Sequence, residues 1–218
     1  MSRYGKISLA LIAVWFAAAV VAAAGLHVFQ NAENRLGPSV GIASTVPILL
    51  FAAWFAWSKG FHEFAMGLNA RWLTQLQIGR VMGVVFVILG ARGILPTRFA
   101  WPAGFGDTFI GLTAGLVAWK LATAEHRGSF IFWQGLGMLD LVTAVGLGVT
   151  TGLVDPHGIS MEAITVFPLI LIPTFFVPLY FIIHIVCIAQ ARGWAAVSGE
   201  RRKAGGPVMG WAENHSNR

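Results

Sequence analysis

Charge is what this chain has least of. Asp, Glu, Lys and Arg make up 11% of its 218 residues, where a soluble domain carries about 25%. That shortage excludes a disordered chain and a soluble enzyme held by a single membrane anchor. Cysteine is nearly missing as well. Cys187 stands alone, which excludes an intramolecular disulfide, a CxxC redox pair, a thiolate zinc site and a secreted disulfide scaffold. The sequence also lacks HExxH, GxSxG, a Walker A loop and the serine motif of rhomboid-type proteases. No catalytic residue and no metal ligand set is therefore expected, and the reading leans away from an enzyme. Nor is there a usable internal repeat of the kind that inverted-repeat transporters carry. The net charge of +6 does not point to nucleic acid, because the basic residues flank apolar runs instead of forming one patch.

What the chain has is apolar sequence: 56% hydrophobic residues and a mean hydropathy of +0.71. Stretches almost free of charge predict helical spans at about 7–29, 37–58, 72–95, 102–119, 129–154 and 163–191. Each exceeds the ~17 residues needed to cross the hydrocarbon core. The expected fold class is an all-α integral membrane protein, a six-transmembrane-helix bundle occupying residues 1–192. Residues 193–218 read as a flexible basic cytoplasmic tail whose Arg201-Arg202-Lys203 is placed to meet anionic lipid. The first span has a rival reading as a signal peptide, with Arg3 and Lys6 as its basic region and Ala22-Ala23-Ala24 as a cleavage site. Its apolar run is longer than the ~7–15 residues of a signal core, which favours a retained helix.

Orientation follows from Lys and Arg on each side of the spans. With the N-terminus inside, the inner segments hold Arg3, Lys6, Lys59, Arg71, Lys120, Arg127, Arg192, Arg201, Arg202, Lys203 and Arg218. The outer segments hold only Arg35, Arg92 and Arg98. The expectation is N-in/C-in, in a cell inner membrane. Trp57, Trp72, Trp101, Trp119, Trp133 and Trp194 fall near span ends, as an interfacial belt requires. Glycine pairs four apart, Gly79/Gly83, Gly111/Gly115 and Gly148/Gly152, predict that the third to fifth spans form the tight centre, since small residues let helices approach closely in lipid.

Ionisable groups inside the membrane are costly and mark candidate sites. Arg80 lies eight residues past Trp72, Asp140 seven past Trp133, and His184 eight before Arg192. At the α-helical rise these three sit ~10–12 Å from the same face. An Arg80–Asp140 ion pair with His184 at the same level is thus expected, either as a ligand or proton site or as a lock between helices. Gln75, Gln77, Gln134 and Tyr180 are the neutral company, and Tyr180, one turn from His184, is placed to satisfy it. Trp133, Gly137, Asp140, Thr143, Ala144 and Thr151 form a small or polar stripe on the fifth span. Asp107 follows Pro102, Gly104 and Gly106 and reads either as a carboxylate complementing a helix N-terminus or as an outer gate. Pro173 and Pro178 remove backbone donors and predict a bent or unwound segment before His184. Haem held by His62 and His184 is the one cofactor considered, and none is strongly implied.

In architecture the predicted bundle, with both termini inside and an alanine-rich first helix, resembles the substrate-binding subunits of energy-coupling-factor vitamin transporters. The resemblance rests on no residue motif and carries over no ligand or site. The functional expectation is an inner-membrane protein that binds or translocates a small solute or proton through Arg80, Asp140, His184, Gln77, Tyr180 and Asp107. The alternatives are a membrane redox or haem subunit and a structural subunit of a membrane complex. Expected partners are the lipid bilayer, a small-molecule ligand, and a further copy of the chain or a membrane-complex subunit.

Overall fold

A computed structural model describes residues 2–30, 36–155 and 157–204, with side chains as far as Trp194. The described residues are helical, with no strand among them. Five stretches are long and apolar enough to cross a membrane: Arg3–Gly25, Pro38–Trp57, Ala70–Ala91, Arg127–Val154 and Ile172–Trp194. Helix α1 (Arg3–Val20) begins at Ser2, whose hydroxyl accepts from the Gly5 amide, and ends in a π turn at Val21–Gly25. The first span therefore stops short of the expected residue 29. Helix α2 (Pro38–Trp57) matches its expected bounds, with Pro38 at the first turn, where the missing N–H is harmless. A short amphipathic helix that the hydropathy did not separate, α3 (Lys59–Met66), turns the chain back.

The third span is not one α-helix. It runs as α4 (Ala70–Leu76), a 3-10 segment at Gln77–Gly83 and α5 (Val84–Ala91). In 3-10 geometry residues three apart eclipse one another. Gln77, Arg80 and Gly83 consequently fall on one edge, and all three are buried. Helix α6 (Thr97–Lys120) starts five residues before the expected 102, so Pro102 lies inside it. It is 24 residues long, but Arg98, Asp107 and Lys120 dilute its apolar character and it is not among the five most apolar stretches. Helix α7 (Arg127–Val154) follows. The expected 163–191 span is broken: α8 (Glu162–Thr165) ends at extended Val166, and a π turn at Ile172–Phe176 leads into α9 (Val177–Ala204). The prolines thus mark a real interruption before His184. Ser44 on α2 donates its hydroxyl to the carbonyls of Pro173 (2.6 Å) and Val40 (2.8 Å). Residues 205–218 of the predicted tail, and Arg35, lie outside the described residues.

Helix α6 is the hub, packed against α4, the 3-10 segment, α5 and α7. Its fit depends on missing side chains: a Cβ on Gly104 would sit 3.0 Å from the Gly83 carbonyl oxygen, and one on Gly111 would strike the Val81 backbone. Helices α1 and α2 are peripheral, with Leu9, Leu11, Val14, Leu49 and Leu50 all exposed, as expected of a lipid-facing surface. One apolar cluster gathers Ile110, Phe130, Trp133, Ile183 and Cys187; a second gathers Phe86, Phe99, Ala103, Ala144 and Ile164. Asp107 falls between the two on α6, and Asp140 between them on α7, so a polar layer separates two apolar ones. The expected tryptophan belt loses one member. Trp57, Trp72, Trp101 and Trp119 are exposed, but Trp133 is buried and donates Nε1–H to Thr113 Oγ1 at 3.0 Å.

Candidate functional site

The polar layer is organised around Arg80. Its side chain has no exposed surface, and its donors fan out to three helices. Nε donates to Asp107 Oδ1 on α6 at 2.7 Å, Nη2 pairs with Asp140 Oδ2 on α7, and Nη1 donates to the Gly137 carbonyl at 3.2 Å. The same Nη1 lies 3.2 Å from His184 Nε2 on α9. Guanidinium has only donors, so His184 Nε2 must accept and the ring is neutral, with its proton on Nδ1. That proton goes to Gln134 Oε1. Gln134 Nε2 then donates to Thr74 Oγ1 at 3.1 Å, and Thr74 donates to the Ala70 carbonyl at 2.8 Å. The direction of every bond is thus set from the arginine outward. Gly137 makes room for it, since a Cβ there would stand 2.5 Å from the His184 ring and 3.3 Å from Arg80 Nη1.

The expected Arg80–Asp140 pair and the nearby His184 are present as contacts. Asp107, expected to stand apart near an outer helix end, instead shares Arg80. The sequence sets it too shallow because Pro102 reads as a helix start: with α6 beginning at Thr97, Asp107 lies ~15 Å along the helix. Tyr180 does not hydrogen-bond His184. Its backbone carbonyl accepts from Gln77 Nε2 at 3.3 Å, and its hydroxyl lies against Gly79. Gln77 is fully buried with Oε1 unpartnered and reaches the cluster only through α9. Thr143 leaves the predicted stripe, being exposed and bonded to the Leu139 carbonyl.

The haem pairing does not form a ligand set. Both ring nitrogens of buried His184 are engaged by Gln134 and Arg80, while His62 is exposed on α3 with its ring 4.5 Å from Phe55. Among the described residues no three His, Cys, Asp or Glu side chains gather as metal ligands. Sequence reasoning missed Thr74 and the Gly137 carbonyl. One signal was available: Thr74, Gln77, Arg80 and Gly83 recur every third residue, with Gln75 the one polar side chain between them, which is the 3-10 period.

A family model described as a domain of unknown function, DUF8737, matches residues 39–192. The chain belongs to this family. No curated protein and no solved structure matches it. The DUF8737 match takes in every residue of the polar layer, from Thr74 to His184, while α1 precedes it. The Arg80 cluster thus lies wholly within the matched region.

Proposed function

We propose that the protein is a six-span, N-in/C-in protein of a cell inner membrane whose Arg80 cluster binds a proton, and that proton binding serves translocation of a small solute or of the proton itself. The observation that carries this is a charge count. One guanidinium faces two carboxylates and a neutral imidazole, so with both aspartates ionised the buried layer holds one excess negative charge. An uncompensated charge at membrane depth is expensive, and taking up one proton removes it. Asp140 is the more accessible acceptor, its side chain 14% exposed against 10% for Asp107.

The test is infrared difference spectroscopy on the purified protein between acidic and alkaline buffer. One protonated-carboxyl band is expected at low pH, lost as pH rises and missing in Asp140→Asn, which keeps the shape of the protonated acid. A spectrum with no such band at any pH, together with an effect of Asp140→Asn on stability alone, rejects proton binding. That outcome favours the lock between helices, for which the near-complete hydrogen bonding of Arg80 also argues. Orientation has its own measurement. In a Cys187→Ala background, a cysteine at Arg92 is expected to react with an impermeant maleimide added outside intact cells. One at Lys59 is expected to stay protected, and the reverse pattern rejects the assigned topology.

A further inference from the structure

Away from the Arg80 cluster, a cavity of about 610 Å³ opens where the α3–α4 turn, the end of α6 and α9 meet. This volume falls within the ~300–1,000 Å³ usual for small-molecule sites. Met66, Leu68 and Trp194 supply an apolar wall, and Arg71, Thr123 and Gln190 the polar groups. Arg71 is exposed at the rim, and its guanidinium has neither an ion pair nor a hydrogen bond among the described residues. Gln190 is buried, 4% exposed. Its Nε2 donates to the carbonyls of Ala65 (2.8 Å) and Leu68 (2.9 Å), with Met66 at 3.5 Å. Turning the amide over would set its oxygen against three carbonyl oxygens, so the assignment is fixed, and Gln190 ties the α3–α4 turn to α9 with its Oε1 buried inside the wall. A cation without a partner among the described residues and an apolar wall thus meet in one cavity.

We infer that this cavity binds an amphipathic anion: an anionic oxygen, as of a phosphate, on Arg71, and an apolar body against Met66, Leu68 and Trp194. A phosphomonoester on an alkyl chain and a phosphatidylglycerol headgroup share this chemistry. The surroundings suit an anion, since Lys120, Arg127 and Arg192 outnumber Glu63 and Glu125 in the flanking segments. This inference does not depend on the proton reading, and it touches none of the Arg80 contacts.

The experiment is native mass spectrometry of the full chain from dodecyl maltoside micelles, titrated with decyl phosphate. One saturable adduct is expected. Arg71→Gln, which removes a charge-assisted contact, is expected to weaken it about tenfold. Ala124→Trp, an exposed cavity-lining position, is expected to abolish it by filling the mouth, while Arg92→Gln at the opposite end leaves it unchanged. Displacement by phosphatidylglycerol identifies a lipid occupant, and resistance to displacement a free phosphate ester; both support the assigned chemistry. Undiminished binding in Arg71→Gln and Ala124→Trp overturns it.

Discussion

Arg80→Met is expected to lower the unfolding free energy by about 3–5 kcal/mol, because it strands two buried carboxylates with no counter-ion. Among the described residues, Asp107 and Asp140 both take their only salt bridge from this one side chain. The substitution also removes the donor facing His184 Nε2 and the one facing the Gly137 carbonyl. Burying a charge without its partner costs more than the pair ever contributes, so the loss is a penalty for imbalance. That distinction has a measurable consequence. Adding Asp107→Asn and Asp140→Asn to Arg80→Met removes the charges together and is expected to recover most of the stability. Denaturant titration of the detergent-solubilised protein followed by circular dichroism reads both. A loss below about 1 kcal/mol for the single substitution, the range of an exposed ion pair, would contradict the buried geometry.

The second large effect is expected from one methyl group. Gly111→Ala places a Cβ against the Val81 backbone nitrogen and 2.9 Å from the Arg80 carbonyl carbon. Backbone cannot swing aside as a side chain does, so α6 and the 3-10 segment must separate. Overpacking of this kind costs about 1–3 kcal/mol or more, and here it also pulls Asp107 away from Arg80. Gly115→Ala is the internal control. Its Cβ would meet only Ile78 Cδ1 at 3.8 Å, an ordinary contact, and replacing helical glycine by alanine favours the helix by up to about 1 kcal/mol. Thermal unfolding is expected to fall clearly for the first variant and to hold or rise for the second. Equal behaviour of the two would mean that α6 does not approach the 3-10 segment as described.

These two glycines also show how far the sequence could be read. Gly111 and Gly115 look equivalent as a pair four apart, yet only Gly111 lies under a neighbouring backbone. Spacing shows that a helix has a small face; it does not show where along that face the partner crosses. The same limit applies to the polar residues. The helical rise brought Arg80, Asp140 and His184 to one depth, and they touch. Asp107 was misplaced because a proline at a loop edge looks like a first helical residue, whereas Pro102 is already inside α6. In the sequence Gln134 reads only as neutral company for the charged groups. Its function as the acceptor for His184 Nδ1 depends on the relative rotation of α7 and α9, which a single helix's pattern does not contain. The interruption before α9 was legible through its prolines. The 3-10 segment shows only through its three-residue period, because it holds no proline and its two glycines look like packing sites.

The 3-10 segment also sets a dimension. Its seven residues, Gln77–Gly83, rise about 2.0 Å each, so they climb about 14 Å where an α-helix would climb about 10.5 Å. Seven residues thus cover the height that about nine α-helical residues would need. Rewinding this stretch into α-helix would shorten the rod that carries Arg80 by about 3.5 Å. The guanidinium would be carried away from carboxylates that stay fixed on α6 and α7. Its meeting with both aspartates is therefore held by the pitch of little more than two turns of backbone as much as by the attraction of the charges.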